Sequence, residues 1–269
     1  MDTKQASWVD WYKENLLRGC FLEEMVQLMC SGGVPLADVK NIMGKNYPSS
    51  LDFNNLTNPT LINNSSVLKV NTKKAQMYII DNFMSSHECN VVMSLMDTAL
   101  VPSTVTVSNG DDAFRTSKTC YLNNQSHPIV AELDVRIAQV LGFASFNSEA
   151  IQGQKYDVGQ EFKAHTDFFK PGTPEYSYFT NPLGQRTWSF MVYLNDTEEG
   201  GETDFPELDV SFKPRKGVAL VWNNLTAQGY GNEATLHHAK PVIKGEKYVI
   251  TKWFRTRNEL LWNQCRVEV

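Results

Sequence analysis

Two histidine-containing segments and one lysine carry the residue types of a metal-dependent reaction. His165 and Asp167 are two positions apart, so their side chains point to one face if they lie on a β-strand. His237 follows 72 residues later, and Lys247 ten residues after that. Two imidazoles and one carboxylate leave coordination positions open, as in sites that bind Fe(II) together with a bidentate co-substrate and O₂. The lysine is suited to hold the anionic end of such a co-substrate as a point charge.

Each of these residues also has a purely structural interpretation. His165 alone would be interpreted as a loop histidine hydrogen-bonded to Asp167, and Lys247 alone as a turn lysine. His238 competes with its neighbour His237 as a ligand, but the two point to opposite faces if they lie on a strand, and we predict His237. A zinc hydrolase is not favoured, because the chain contains no HExxH motif.

The composition limits the class of protein. The chain has 269 residues, of which 42% are hydrophobic and 20% charged, so it can bury a sizeable core as two domains or as one large β domain with an attachment. Its net charge of −5 argues against chain-wide binding to nucleic acid or to an anionic membrane surface. Five cysteines without a CxxC motif predict reduced thiols. With a polar N-terminus and no long apolar run, we expect a soluble, cytoplasmic protein.

The first part of the chain carries helical signals, and we predict a small helical module at residues 1–46. Ser7 is predicted to cap the first helix, Gly32–Gly33 to end the second, and Pro35 to begin the third. Residues 47–66 are rich in Asn, Ser, Thr and Pro, which predicts a linker or an irregular arm.

Residues 67–269 are predicted to form one domain that is mainly β with supporting helices. Helices are predicted to start at Ser85 and to span Ile129–Leu141. The strands are predicted at Met77–Phe83, Thr187–Leu194, Gly217–Trp222 and Tyr248–Phe254. Short strands separated by turns are typical of a sandwich, a barrel or a jelly roll. Period-two alternation places Lys247, Val249, Thr251 and Trp253 on one face of the last strand.

The segment from Met77 to Arg255 resembles the prolyl 4-hydroxylase family of 2-oxoglutarate/Fe(II) dioxygenases, over roughly two thirds of the chain. The matching motifs occur in the family's order. They are Ile80–Ser85, Arg115–Ser117, Tyr156–Asp167, Tyr193–Asn195, Gly200–Pro206, Pro214–Gly217 and His237–Phe254. The resemblance implies a double-stranded β-helix, or jelly roll, with supporting α-helices behind the N-terminal module.

The resemblance also implies roles for individual residues. The iron ligands would be His165, Asp167 and His237. The residues that bind the distal carboxylate of 2-oxoglutarate would be Lys247, Tyr156 and Thr203. Arg186 and Trp253 match positions on the substrate side of the pocket. Outside the motif, the tyrosine and the tryptophan would be interpreted as core, the threonine as a turn residue and the arginine as solvated.

Two positions depart from the family's pattern. Phe162 stands where the family often has a tyrosine, three residues before the first histidine ligand, which removes a hydroxyl near the substrate. Lys240 replaces the cysteine that usually follows the second histidine. By contrast, Asp167 is retained, whereas halogenating relatives lack this carboxylate, so hydroxylation is favoured. The first departure leaves the substrate open.

The function implied is hydroxylation of an unactivated C–H bond, foremost of a prolyl residue in a peptide or protein, with release of succinate and CO₂. The cofactors implied are Fe(II), 2-oxoglutarate and O₂, with ascorbate as a further candidate. One alternative is the same chemistry on a free amino acid or a natural-product intermediate. Another is a non-catalytic interaction protein with a vestigial iron site, suggested by the helical module. We expect a peptide, protein or small-molecule partner and neither nucleic acid nor membrane. The oligomeric state is left open.

Overall fold

The computed structural model describes residues 3–34, 36–48, 67–104, 113–123, 127–142, 148–180, 183–226 and 230–255. Pro35 and nearly all of the predicted linker therefore lie outside the described residues. The division into residues 1–46, 47–66 and 67–269 stays a prediction.

Three helices open the chain, as the sequence predicts. They are α1 (Thr3–Leu17), α2 (Leu22–Ser31) and α3 (Leu36–Met43), and a 3₁₀ turn follows at Gly44–Asn46. The prediction that Ser7 caps the first helix is wrong, because α1 begins at Thr3 and Ser7 lies inside it. The prediction for the end of the second helix is confirmed, since α2 ends directly before the two glycines.

The described residues form three further helices, which support the β domain. They are α4 (Ser86–Asp97), α5 (Pro128–Leu141) and α6 (Pro174–Phe179). The predicted helix start at Ser85 is confirmed by a capping box, in which Ser85 Oγ accepts from the Glu88 amide and the Glu88 carboxylate accepts from the Ser85 amide. The loop residue His127 caps α5 by accepting a hydrogen bond from Ile129 N.

The described residues form fourteen strands, which make two main antiparallel sheets and one short ribbon. The strands are β1 (Val67–Lys69), β2 (Met77–Ile80), β3 (Val101–Pro102), β4 (Lys118–Leu122), β5 (Ile151–Tyr156), β6 (Phe162–His165), β7 (Arg186–Tyr193), β8 (Glu199–Gly200), β9 (Thr203–Phe205), β10 (Val210–Phe212), β11 (Ala219–Asn223), β12 (His237–Ala239), β13 (Val242–Lys244) and β14 (Lys247–Arg255). The large sheet has the order β1-β2-β11-β7-β14-β5-β4-β3, and the small sheet has the order β10-β9-β12-β6. Strands β13 and β8 form the ribbon.

The large sheet is covered on both faces. Along β7, Phe190 and Val192 join the core that α4 and α5 complete, whereas Met191 and Tyr193 join the core shared with the small sheet. All nine residues of β14 are buried, because one face meets the helices and the other meets the small sheet. Two facing antiparallel sheets with helices on the outside form the predicted jelly-roll fold.

The predicted strands are present with shifted ends. The strand predicted to reach Phe83 stops at Ile80, because Asn82 adopts φ 54° and turns the chain towards α4. No helix among the described residues is long and apolar enough to cross a bilayer.

Candidate active site

Two strands of the small sheet bring the predicted histidine ligands together. β12 pairs antiparallel with β6, and His237 stands directly opposite His165, with 4.3 Å between the ring centroids. Asp167 arrives differently from the prediction: β6 ends at His165, so the following turn, and not strand alternation, carries the carboxylate into the site. One ligand atom from each of the three side chains lies within 4.8 Å of the other two.

Backbone carbonyls fix the orientation of both imidazoles. His165 Nδ1 donates to Lys163 O at 2.8 Å, and His237 Nδ1 donates to Thr235 O at 2.9 Å. In both rings Nε2 is therefore the nitrogen available to a metal. Burial, reinforced by the neighbouring His237, lowers the pKa of His165 to about 3, so this imidazole is neutral at physiological pH.

The two oxygens of Asp167 have different surroundings. Oδ1 lies 3.9 Å from Nε2 of His165 and 3.9 Å from Nε2 of His237. Oδ2 accepts a hydrogen bond from Ser189 Oγ at 2.5 Å. Burial opposes ionisation of this carboxyl, but the two histidines, Arg186 and the Ser189 hydrogen bond outweigh it and hold its pKa below the ordinary value. Oδ1 is thus left facing the two imidazole nitrogens.

His238 does not belong to this cluster. It faces away from the site, and its Nε2 lies 2.8 Å from Glu161 Oε2. The predicted preference for His237 thus agrees with the geometry, because adjacent residues on a strand point to opposite faces.

The three converging side chains suit Fe(II). Two neutral imidazoles and one carboxylate on one side of an ion match the facial arrangement of non-haem iron oxygenases, which leaves positions open for other ligands. The three side chains line a cavity of about 620 Å³ between the two sheets. The donor set and the adjoining space therefore fit an iron ion with a small bidentate co-substrate.

Lys247 lies in the same cavity as a buried cation. It is 1% exposed, its Nζ lies 3.5 Å from Thr203 Oγ1, and the rings of Tyr156 and Tyr193 flank it at 5.2 and 5.7 Å. No ion pair joins it to a carboxylate of the described residues, and burial lowers its pKa to about 7, although the charge of Glu202 partly opposes this. A buried ammonium without an anionic partner is suited to receive a carboxylate.

The residues around Lys247 leave room for that carboxylate. The turn at Gly200–Gly201 runs directly beside it, and a Cβ on Gly201, where φ is 72°, would lie 3.3 Å from Lys247 Cδ. Tyr156 Oη donates to Gln154 Oε1 at 2.8 Å, and Thr203 Oγ1 accepts from Tyr193 Oη at 2.8 Å. Tyr156 and Thr203 both line the cavity, and Gln154 is a polar contact that sequence reasoning did not single out.

Trp253 lines the cavity on the same strand face as Lys247, Val249 and Thr251, as alternation predicts. Arg186 stacks on the Trp253 ring, with its guanidinium 3.9 Å from the ring centroid. Arg186 is not solvated, because both arms of its guanidinium bind the Glu149 carboxylate at 2.7 Å. Glu149 also pairs with Arg255 and was not singled out from the sequence.

Phe162 stacks on the first histidine ligand instead of reaching into open space. Its ring centroid lies 3.6 Å from that of His165, and the Arg115 guanidinium also lies over the Phe162 ring, 4.6 Å from its centroid. Arg115 lines the cavity and donates to neutral groups, among them Gln152 Oε1 at 3.0 Å and Thr119 Oγ1 at 3.2 Å. The sequence marks Arg115 only as part of a motif and assigns it no role.

Comparisons with known proteins agree with this geometry. The family described as the 2OG-Fe(II) oxygenase superfamily matches residues 151–255, which contain the His-Asp-His cluster and Lys247. The human prolyl 4-hydroxylase subunit alpha-1 is 30% identical over 196 residues, covering 71% of this chain and 36% of that protein. The probable prolyl 4-hydroxylase 3 of Arabidopsis thaliana is 31% identical over 199 residues, covering 65% of this chain and 68% of that protein.

A solved structure with the same fold is the viral collagen prolyl hydroxylase of Paramecium Bursaria Chlorella virus-1 in a 2OG complex. It has a TM-score of 0.55 and 28% identity, and the match covers 66% of this chain and 95% of that one.

The chain spans about a third of the length of the animal alpha-1 subunits that it matches. The expected jelly-roll fold and the expected Fe(II) and 2-oxoglutarate cofactors are confirmed. The chain belongs to the prolyl 4-hydroxylase-like family of 2-oxoglutarate/Fe(II) oxygenases.

Proposed function

We propose that this protein is a 2-oxoglutarate- and Fe(II)-dependent dioxygenase that hydroxylates an unactivated C–H bond, foremost in a prolyl residue of a peptide or protein. The observation that carries the proposal is the convergence of His165, Asp167 and His237 in one cavity with the buried Lys247. Bound Fe(II) and 2-oxoglutarate supply the oxidising chemistry, in which one atom of O₂ enters the substrate, the other enters succinate, and CO₂ is released.

The residues of the chain orient and shield this chemistry. His165 and His237 offer their Nε2 atoms and Asp167 its Oδ1, while the carbonyls of Lys163 and Thr235 hold the rings in place. Lys247 would pair with the distal carboxylate of 2-oxoglutarate, with Thr203 and Tyr156 as hydrogen-bonding neighbours. The cavity lies between two sheets whose facing side chains are largely buried, which keeps bulk water from the reacting atoms.

The proposed substrate class rests on the relatives, which are named as prolyl 4-hydroxylases. The cavity supports a substrate with hydrogen-bond acceptors, because Arg115 lines it and its guanidinium is bonded to neutral groups. A backbone carbonyl of a peptide or the carboxylate of a free amino acid would meet this cation, so free amino acids belong in the same test. The cytoplasmic location stays a prediction.

The decisive experiment is turnover by the full chain with Fe(II), 2-oxoglutarate and O₂, with and without ascorbate. A panel of proline-containing peptides is presented beside a panel of free amino acids, and succinate release and the gain of one oxygen by the product are followed by mass spectrometry. We expect a proline-containing peptide to be hydroxylated. Turnover of a free amino acid with every peptide unmodified would contradict the peptide proposal but not the chemistry.

Three variants test the site itself. His165→Ala and Asp167→Ala should abolish hydroxylation, because each removes a ligand. Lys247→Ala should raise the KM for 2-oxoglutarate about 10- to 100-fold, the value expected for losing a hydrogen bond to a charged group. His238→Ala is the matched control, since this neighbour of a ligand points away from the cavity, and it should retain turnover. A chain that shows no metal-dependent turnover in any panel would support a vestigial site instead.

A further inference from the structure

The two residues that follow Asp167 both line the cavity, but they pack against different neighbours. Phe169 faces the cavity, where it stacks on Phe179 with 5.5 Å between the ring centroids. The side chain of Phe168 is 5% exposed and joins the hydrophobic core of the N-terminal helices, together with Met25 and Met29. The metal-facing carboxylate is therefore attached directly to a residue that the helical module buries.

A second loop joins the same core. Leu225, which is 4% exposed, packs with the N-terminal helices and forms an antiparallel β-bridge with Gly231. A Cβ on Gly231 would lie 2.2 Å from the Phe168 ring, so this ring rests directly on the backbone of the second loop. The module thus holds two loops together, one directly after Asp167 and one between β11 and the strand of His237.

The second loop also reaches Asp167 through hydrogen bonds. Asn224, the residue before Leu225, donates from Nδ2 to Ser189 Oγ at 2.9 Å, and Ser189 Oγ donates to Asp167 Oδ2 at 2.5 Å. Asn224 and Ser189 are both 0% exposed. A hydroxyl has one proton to donate. Because Ser189 Oγ accepts its other hydrogen bond from Asn224, its own proton is directed at the Asp167 carboxylate.

We propose that the N-terminal helices and the Asn224–Ser189 pair are a positioning device for the Asp167 carboxylate. The helices fix the backbone of the aspartate through Phe168, and they fix the donor pair through Leu225. Ser189 then binds Oδ2 of Asp167, and Oδ1 remains directed towards the two imidazoles. This proposal rests on the proposed function, because it assumes that Asp167 binds the metal. It assigns the helical module a role inside the catalytic domain rather than in docking another protein.

The test is the affinity of the full chain for Mn(II) in the presence of 2-oxoglutarate, measured by electron paramagnetic resonance below the unfolding temperature. Ser189→Ala should weaken Mn(II) binding about 10- to 100-fold, as is usual when a hydrogen-bonding partner of a metal ligand is removed. Leu225→Ala and Gly231→Ala, which disturb the second loop and displace the Phe168 ring, should weaken it in the same direction. Turnover is not needed for this readout.

Leu133→Ala is the matched control for Leu225→Ala. Leu133 lies on α5, is 1% exposed and belongs to the core on the other side of the large sheet, so the same atoms are lost far from the module. It should lower the free energy of unfolding but leave Mn(II) affinity unchanged.

Two results would overturn the proposal while the parent chain still binds Mn(II): unchanged affinity in Ser189→Ala and Leu225→Ala, or equal weakening by Leu133→Ala. Failure of the parent chain to bind Mn(II) would instead overturn the proposed function and this inference with it. Ser189→Ala removes only one oxygen atom and therefore keeps the test valid even if a core variant does not fold.

Discussion

At the scale of single residues, Lys247 has unusual surroundings for a lysine. It is fully buried beside two tyrosine rings, and desolvation lowers its pKa to about 7. A lysine in this state loses its charge close to physiological pH unless an anion joins it. The side chain therefore couples the binding of a carboxylate to protonation.

This coupling makes the affinity for 2-oxoglutarate depend on pH. Below about pH 7 the ammonium is charged in the free site, and binding needs no proton. Above pH 7 the free lysine is neutral, so binding must take up a proton and the affinity should fall as pH rises, by up to tenfold per unit. Isothermal titration of the Mn(II)-loaded protein with 2-oxoglutarate between pH 6 and 9 measures this.

Lys247→Met supplies the control for the pH dependence. This variant should bind 2-oxoglutarate weakly and with little change over the same range. His165, whose pKa is lowered to about 3, stays neutral throughout and does not mimic the effect. An affinity that is flat from pH 6 to 9 in the parent chain would contradict the assignment of Lys247 as the anchor.

At the scale of secondary-structure elements, β14 contributes side chains both to the cavity and to the core beneath the helices. Lys247 and Trp253 point into the cavity, whereas Lys252 points to the helices and is 2% exposed. Lys252 Nζ forms a short ion pair with Asp134 of α5 and donates to Glu149 O at 2.9 Å. Because Glu149 in turn holds Arg186, this pair connects α5 to the substrate side of the site.

Removing one partner of the Asp134–Lys252 pair should lower the free energy of unfolding more than removing both. Asp134→Leu leaves the Lys252 ammonium buried beside the Glu149 carbonyl without its carboxylate, so the free energy of unfolding should fall by about 3–5 kcal/mol. The double variant Asp134→Leu/Lys252→Met should recover much of that loss, since no charge remains in the core. Urea unfolding of the apoprotein measures both, and equal losses in the single and double variants would contradict the expectation.

The elements were predictable where the signal is local. The capping residues at Ser85 and the period-two pattern of the last strand are properties of short segments, and both occur as predicted. The prediction that Ser7 begins the first helix was wrong, because a serine inside a helix cannot be distinguished by its residue type from a serine that caps one. The strand assumed for Asp167 was also wrong, because a turn places the carboxylate beside the imidazoles and strand periodicity does not describe a turn.

At the scale of the whole molecule, the site draws on distant parts of the chain. His165 comes from β6, His237 from β12 and Lys247 from β14, and the buried residues of the N-terminal helices share a core with Phe168 and Leu225. In the unfolded chain these groups are far apart, so a metal with its co-substrate binds the folded state alone.

Ligand removal should therefore lower the stability of the whole molecule. Mn(II) with 2-oxoglutarate at about a hundredfold excess over the dissociation constant should add about 2.7 kcal/mol to the free energy of unfolding, and chelation should reverse the gain. Thermal unfolding with and without EDTA measures the shift. His165→Ala should show no shift under the same conditions, and a shift that persists in this variant would place the metal elsewhere.

The sequence by itself determined the residue types, their order and the fold family. It also determined which side chains of a strand share a face, because alternation is a local property of the backbone. Lys247 and Trp253 lie on one face of their strand, whereas the neighbours His237 and His238 point to opposite faces. The tertiary structure alone decided which groups meet across the fold. Three examples are the Asn224–Ser189–Asp167 contacts, the Arg186–Glu149 pair and the packing of Phe168 against the N-terminal helices. Each joins residues that are far apart in the sequence. No local sequence pattern predicts them, because they form only when distant segments are buried together.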